Sequence, residues 1–200
     1  MICPKIGIFG GTFNPIHLGH LIIAQEVKEK MNLEKIIFVP SGNPPHKTLE
    51  VSREDRLEMV KLATEDEEDF LVEEYEIKKT TKSYSLETIE YLEEKYGCDK
   101  LYFIVGEDSF MEIEKWYRYE ELLSKVRLIV VNRKTKYVEI LQDKMKAYQD
   151  KGYNINWVEI PNLEISSTYI RDEFKNNRNP RYYLPPKTYE YIQARRIYDK

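Results

Sequence analysis

Six short apolar runs, spaced by stretches with helical periodicity, constrain this chain of 200 residues more than any other feature of its sequence. Residues 5–9, 35–39, 70–74, 101–105, 127–131 and 154–159 are rich in Ile, Val, Leu and Phe and have strand length. Between them, residues 18–31 place Ala24, Val27 and Met31 at spacings of three and four, and residues 53–64 place Leu57, Val60 and Ala63 similarly. Ser52 with Asp55 three residues on opens the second of these helices in the manner of a capping box. Leu86, Ile89 and Leu92 mark another helix, with Gly97 as its stop. Residues 136–151, closed by Gly152, and residues 166–175 and 187–198 read as later helices. This alternation is the pattern of an α/β fold: a Rossmann-like, doubly wound parallel sheet with flanking helices and right-handed crossovers. Ligands in such sheets lie beyond the carboxyl ends of the strands. No repeat or linker-like shift in composition divides the chain, so residues 1–200 read as one domain, with the helical tail from about 160 to 200 part of it.

Composition removes several classes. A hydrophobic share of 42% with 33% charged residues belongs to a globular protein rather than a disordered one. Lys and Arg total 31 against 35 Asp and Glu, a net charge of −4, which argues against a surface for nucleic acid and leaves room for a small, concentrated anion pocket. Cys3 and Cys98 stand far apart and outside any ligand spacing, so neither a disulfide scaffold nor a structural zinc site is expected. No apolar run approaches the roughly 18 residues that span a bilayer. With no leader-like start, the expectation is a cytoplasmic protein without a membrane partner. The acidic run at residues 65–69 reads as a solvated helix end rather than a metal site. Neither a heptad nor a sustained apolar stripe specifies an oligomeric state, and a homo-oligomer stays open.

Chemistry enters directly after the first strand, with Gly10-Gly11-Thr12-Phe13-Asn14-Pro15-Ile16-His17-Leu18-Gly19-His20 leading into a helix. Two glycines allow a close ligand and a positive φ, and a helix N-terminus aims free N–H groups at an anion. With a helix start near Leu18, His17 and His20 both lie over its first turn, and Gly19 keeps their approach open. The segment is neither a GxxxxGK[ST] loop nor a GxGxxG fingerprint. A tight turn and ordinary helix capping account for its parts taken singly.

Taken together, the strand, GGTFNP and HLGH are similar to the HxGH-type nucleotidyltransferase family. PSGNPPHK at 40–47, KSYS at 82–85, GED at 106–108, WY at 116–117, ISSTYIR at 165–171 and RYYLP at 181–185 extend the likeness over nearly the whole chain. This ordered set resembles the bacterial nicotinate-nucleotide adenylyltransferase family. The resemblance implies reversible adenylation of nicotinate mononucleotide by ATP, giving nicotinate adenine dinucleotide and pyrophosphate in NAD biosynthesis. ATP is then a co-substrate, its phosphates carry Mg²⁺ and the protein itself holds no metal.

The resemblance also implies roles. His17, His20 and Arg171 would be catalytic, neutralising charge during in-line transfer. Gly10, Gly11, Phe13, Gly106, Asp108, Ile165, Ser166 and Ser167 would complete the ATP site with them, Asp108 on the ribose. Thr12, Lys47, Ser85, Trp116, Tyr117 and Arg133 would hold the mononucleotide. Trp116 offers a face for the pyridine ring, and donors near Tyr117 and Ser85 suit its carboxylate. Beside these roles stand blander ones: N-capping for Ser166, core packing for Trp116, and solvated surface for His46, Lys47 and Arg133. Asn14 stands where many relatives carry Asp, Glu107 where small residues are usual, and Lys82 to Ser85 lacks the customary proline and threonine, which bears on acid-versus-amide selectivity. The competing functions are pantetheine-phosphate adenylyltransferase chemistry, an amide-preferring enzyme, a noncatalytic nucleotide-binding module and, more weakly, RNA binding.

Overall fold

The computed structural model describes residues 4–44, 51–132 and 138–199. Strands β1 (Ile6–Gly11), β2 (Lys35–Pro40), β3 (Phe70–Val72), β4 (Tyr102–Gly106), β5 (Arg127–Asn132) and β6 (Ile155–Glu159) form one sheet in the order β3-β2-β1-β4-β5-β6. All five neighbouring pairs are parallel. Every expected strand is present, with shifted ends. β1 runs on through Gly10 and Gly11 because they continue the ladder opposite Val39 and Pro40. β3 stops at Val72 because the Glu73 carboxylate accepts the main-chain N–H groups of Glu74 and Tyr75 and turns the chain into a short helix.

The helices are α1 (Leu18–Lys30), α2 (Arg53–Thr64), α3 (Tyr75–Lys78), α4 (Ser85–Tyr96), α5 (Glu107–Met111), α6 (Tyr119–Lys125), α7 (Val138–Asp150), α8 (Ser167–Lys175) and α9 (Pro186–Arg195). The expected stops and starts hold: Ser52 Oγ accepts the Asp55 N–H at 3.0 Å, and Gly97 and Gly152 take φ values of 63° and 92°. Helices α3, α5 and α6 went unread because a stretch of four to seven residues is too short to display a 3.6-residue period.

Strand alternation sorts the core into two layers. Ile36 and Phe38 face the layer under α1, α2, α8 and α9, while Ile37 and Val39 face the layer under α4 to α7. On α2 the buried face is Arg56, Met59, Val60 and Thr64, so the apolar stripe expected at Leu57, Val60 and Ala63 is turned by about one residue, and an arginine takes an interior place. The C-terminal segment closes over α2: Thr188 Oγ1 donates to the Met59 carbonyl at 3.2 Å, and the Tyr191 hydroxyl donates to Asp55 Oδ1 at 2.8 Å. Leu184, Ile192 and Tyr198 join the same layer. Cys98 is buried in the opposite layer, and Cys3 lies outside the described residues. No helix among the described residues is long and apolar enough to cross a membrane.

Phe38 sits at the centre of its layer, fully buried, with the rings of Phe9, Phe13 and Phe70 at 5.6, 5.9 and 5.3 Å. Phe38→Ala is expected to lower the free energy of unfolding by about 3–5 kcal/mol. A denaturant titration checks this, with the midpoint moving and the slope unchanged.

Candidate active site

The strand order reverses between β1 and β4, and the crevice beyond their carboxyl ends is the place a doubly wound sheet offers a ligand. Two cavities occupy it. The smaller, about 350 Å³, is walled by Gly11, Thr12, Ser41, Glu76, Ser83, Tyr84, Ser85, Thr88, Trp116 and Tyr117 among others. The larger, about 710 Å³, is walled by His20, Glu107, Asp108, Asn162, Leu163 and Glu164 among others. They share Phe9, Gly10, Ile104, Val105, Gly106 and Ser109, so they form one groove with two compartments meeting over Gly10.

Helix α1 begins at Leu18 with His17 as its N-cap. The main-chain N–H of His17 donates to His20 Nδ1 at 3.2 Å, and the N–H of His20 donates to the His17 carbonyl at 2.9 Å. The two imidazoles stack, with ring centres 3.7 Å apart. With Nδ1 accepting, a neutral His20 carries its proton on Nε2 and offers a donor there. A Cβ at position 19 would stand 3.0 Å from His17 Nδ1, so glycine leaves the ring the room that the sequence spacing called for. The two histidines differ in exposure: His20 lines the larger compartment, whereas His17 is 2% exposed and lines neither.

The positive φ expected at Gly10 and Gly11 falls instead on Phe13, at 49°, because the glycines stay extended in the β1 ladder. This swings the Phe13 ring into the core, edge-on to Phe9 and to His20 at 5.8 and 5.1 Å. Phe13, expected in the ATP site, is therefore buried and lines neither compartment.

The late motif docks on this same loop. Ser166 Oγ accepts the Tyr169 N–H at 3.1 Å, the capping role. Ser167 Oγ donates to the Pro15 carbonyl at 2.8 Å, while Arg171 donates through Nη1 to the Asn14 carbonyl at 2.7 Å and through Nη2 to Thr168 Oγ1 at 3.2 Å. Ile165 packs beside Gly19. None of Ile165, Ser166, Ser167 and Arg171 lines either compartment. Gly10, His20, Gly106 and Asp108 do line the larger one, and Gly11, Thr12, Ser85, Trp116 and Tyr117 the smaller. Trp116 is half-buried with its ring inclined at 69° to that of Phe103, and the Tyr117 ring meets that of Tyr84 at 4.6 Å. Lys47, His46 and Arg133 lie outside the described residues.

Arg56 and Glu76 escaped sequence reasoning. Arg56 is 1% exposed and donates to the carbonyls of Thr12 and Gly42 at 2.8 and 3.2 Å. Glu76 lies in the wall of the smaller compartment and accepts the Thr88 hydroxyl at 2.7 Å. Burial lowers the Arg56 guanidinium from its usual range and raises the Glu76 carboxyl from its own. For Arg56 a signal existed, since it stands three and four residues before the buried Met59 and Val60. The donors of the groove (imidazole, hydroxyl, main-chain N–H) suit a phosphate. Among the described residues no group of three or more His, Cys, Asp or Glu side chains is arranged around a metal position.

Residues 8–173 match the cytidylyltransferase-like family. The chain is 41% identical over 197 residues to a protein of Caldicellulosiruptor bescii named "Probable nicotinate-nucleotide adenylyltransferase", covering 98% of this chain and 100% of that one. A protein of the same name from Clostridium tetani is 41% identical, covering 97% and 98%. Among solved structures, Plasmodium falciparum nicotinic acid mononucleotide adenylyltransferase complexed with NaAD shares the fold at a TM-score of 0.80 and 20% identity, with 98% of each chain covered.

The Tyr198 hydroxyl donates to Asn14 Oδ1 at 2.6 Å, and burial pushes its phenol far above the usual range. A raised folded pKa means that this stabilisation is complete below the unfolded value of about 10 and declines as pH rises beyond it. Tyr198→Phe is expected to lose about 1 kcal/mol at neutral pH, from the unmatched Asn14 oxygen. Denaturant titrations from neutral to alkaline pH should also show a shallower decline above about pH 10 in the variant than in the parent.

Proposed function

The chain belongs to the cytidylyltransferase-like family and to the nicotinate-nucleotide adenylyltransferases within it, and on that premise we propose that it transfers AMP from ATP to nicotinate mononucleotide, releasing nicotinate adenine dinucleotide and pyrophosphate in NAD biosynthesis. The observation that carries this is the two-compartment groove over Gly10, with His20 and Asp108 on one side and Trp116, Tyr117 and Ser85 on the other. ATP takes the larger side, its ribose toward Asp108, and the mononucleotide takes the smaller, its ring toward Trp116. Donors near Ser85 and Tyr117 meet the ring carboxylate.

A phosphate oxygen of the mononucleotide forms a bond to the α-phosphorus of ATP as the bond from that phosphorus to pyrophosphate breaks. The protein supplies position and charge compensation. His20 gives the direct donor. His17, buried and stacked on it, orients that ring, and Arg171 with Ser167 holds the loop in place. Lys47 and Arg133 serve as further phosphate cations. Magnesium would be held by the ATP phosphates rather than by protein side chains and would supply further charge compensation there. We place this activity in the cytoplasm, with residues 1–200 acting as one domain.

The test is pyrophosphate release from ATP and Mg²⁺ with nicotinate mononucleotide, nicotinamide mononucleotide and phosphopantetheine in parallel. Preference for the first is expected. Activity with another acceptor alone would overturn the role of Trp116, and silence with all three would leave only a nucleotide-binding module. His20→Ala is expected to lower kcat by about 10²-fold or more with the circular-dichroism spectrum unchanged, since its donor matters most where charge develops. His17→Ala should lower turnover as well, and unchanged turnover in both variants would remove the imidazoles from the mechanism.

A further inference from the structure

Two charged side chains that the proposed chemistry leaves without a role are buried beside the smaller compartment, and both close on one residue. Arg56 of α2 reaches the Thr12 carbonyl with Nη1 and the Gly42 carbonyl with Nη2. Glu76 of α3, 7% exposed, accepts the hydroxyl of Thr88 at 2.7 Å. Gly42 is thus held at its carbonyl by a buried cation. It is also pressed from the side: a Cβ at position 42 would stand 1.9 Å from the Glu76 carbonyl oxygen, so glycine alone fits there. The neighbouring main chain is sewn to the same places. Ser41 N–H donates to the Gly11 carbonyl at 2.8 Å, and Ser83 N–H donates to the Asn43 carbonyl at 3.0 Å.

Burying a guanidinium and a carboxyl is costly unless hydrogen bonds compensate, so their placement calls for a reason in what they join. They join three segments: the turn after β1, the turn after β2 and the start of α4. Thr12, Ser41, Ser83 and Thr88, together with Glu76 itself, all line the smaller compartment, and none of them lines the larger. The larger compartment is bounded by β4, α5 and residues 162–164, with Phe9 and Gly10 of β1 and His20 and Ile23 of α1. We propose that Arg56, Gly42 and Glu76 form a brace that positions the wall of the acceptor compartment, so that it governs affinity for the pyridine mononucleotide and leaves ATP affinity untouched. The inference rests on assigning the smaller compartment to the mononucleotide. Arg56 and Glu76 are positioning residues here, acting through the turns they hold.

Three variants test it. Glu76→Gln keeps the shape but replaces one acceptor oxygen by a donor. Arg56→Lys keeps the charge but lacks the fork that spans two carbonyls. Gly42→Ala forces the two turns apart. Each is expected to raise KM for nicotinate mononucleotide about tenfold or more while KM for ATP stays within about twofold, a loss comparable to one buried charge-assisted hydrogen bond. Parallel rises in both KM values would reveal general loosening and overturn the brace, as would an unchanged mononucleotide KM in those variants that fold. Thermal melts identify the variants that fold, and the mildest change, Glu76→Gln, keeps the test available if the others do not. Calorimetric titration of nicotinate mononucleotide alone separates this inference from the proposed reaction. A parent protein that binds it without turnover would sink the transfer chemistry and leave the brace to be judged by the variants' Kd, whereas a parent that does not bind it overturns the brace together with the assignment of the compartment.

Discussion

The loop between β1 and α1 exposes a row of main-chain carbonyls with no partner in its own strand or helix, and the rest of the site is arranged around supplying donors to them. Arg56 from α2 satisfies Thr12, Arg171 from α8 satisfies Asn14, and Ser167 at the start of α8 satisfies Pro15. Tyr198, beyond α9, adds a bond to the Asn14 side chain. Buried carbonyls left unmatched are expensive, so this loop can hold its shape only if segments far along the chain fold onto it. The C-terminal helices are therefore part of the site although they contribute nothing to its walls.

Such a loop is preorganised in the sense that matters for group transfer. A donor that is already fixed does not have to reorganise when charge moves in the reacting phosphate, which is where an enzyme gains most over water. His20 illustrates the chain of support. Its ring is packed by His17 on one face and by the edge of Phe13, and its Nδ1 is occupied by the His17 N–H, which fixes where the remaining donor lies. Phe13 in turn stands on Phe38, in the middle of the core. The line of support from the core to the groove is three side chains long: Phe38, Phe13 and His20.

Local pattern carried the sheet and most helices because strand alternation and the 3.6-residue period are properties of neighbours in sequence. Of the residues that the family resemblance implied, Gly10, Thr12, Gly106 and Asp108 stand at or just past a strand end and reach a compartment wall. Local pattern failed where position depends on contacts across the chain. Phe13 lies under the groove because the glycines before it remain in the ladder, an outcome decided by the pairing partner Val39-Pro40 rather than by the glycines. Arg171 and Ser167 bond the loop rather than face the groove, and Ser166 caps its helix, because α8 docks end-on to residues 14 and 15. Glu76 was illegible for a simpler reason, since a lone acid in a four-residue helix has no periodicity to betray its burial.

An acidic chain that handles triphosphates faces an electrostatic difficulty that this architecture answers. With a net charge of −4, the protein as a whole does not attract an anion, but salt screens that long-range effect beyond about 8–10 Å. What counts is the field inside the groove, where the dielectric is lower and each donor acts more strongly. The positive end there is assembled from groups that cost the surface nothing: the N-terminus of α1 under the histidines and the N-terminus of α8 against the same loop. Because these sources are inside, the outer surface is free to remain acidic, and the anion site can be strong without making the exterior of the protein a general binder of phosphate polymers.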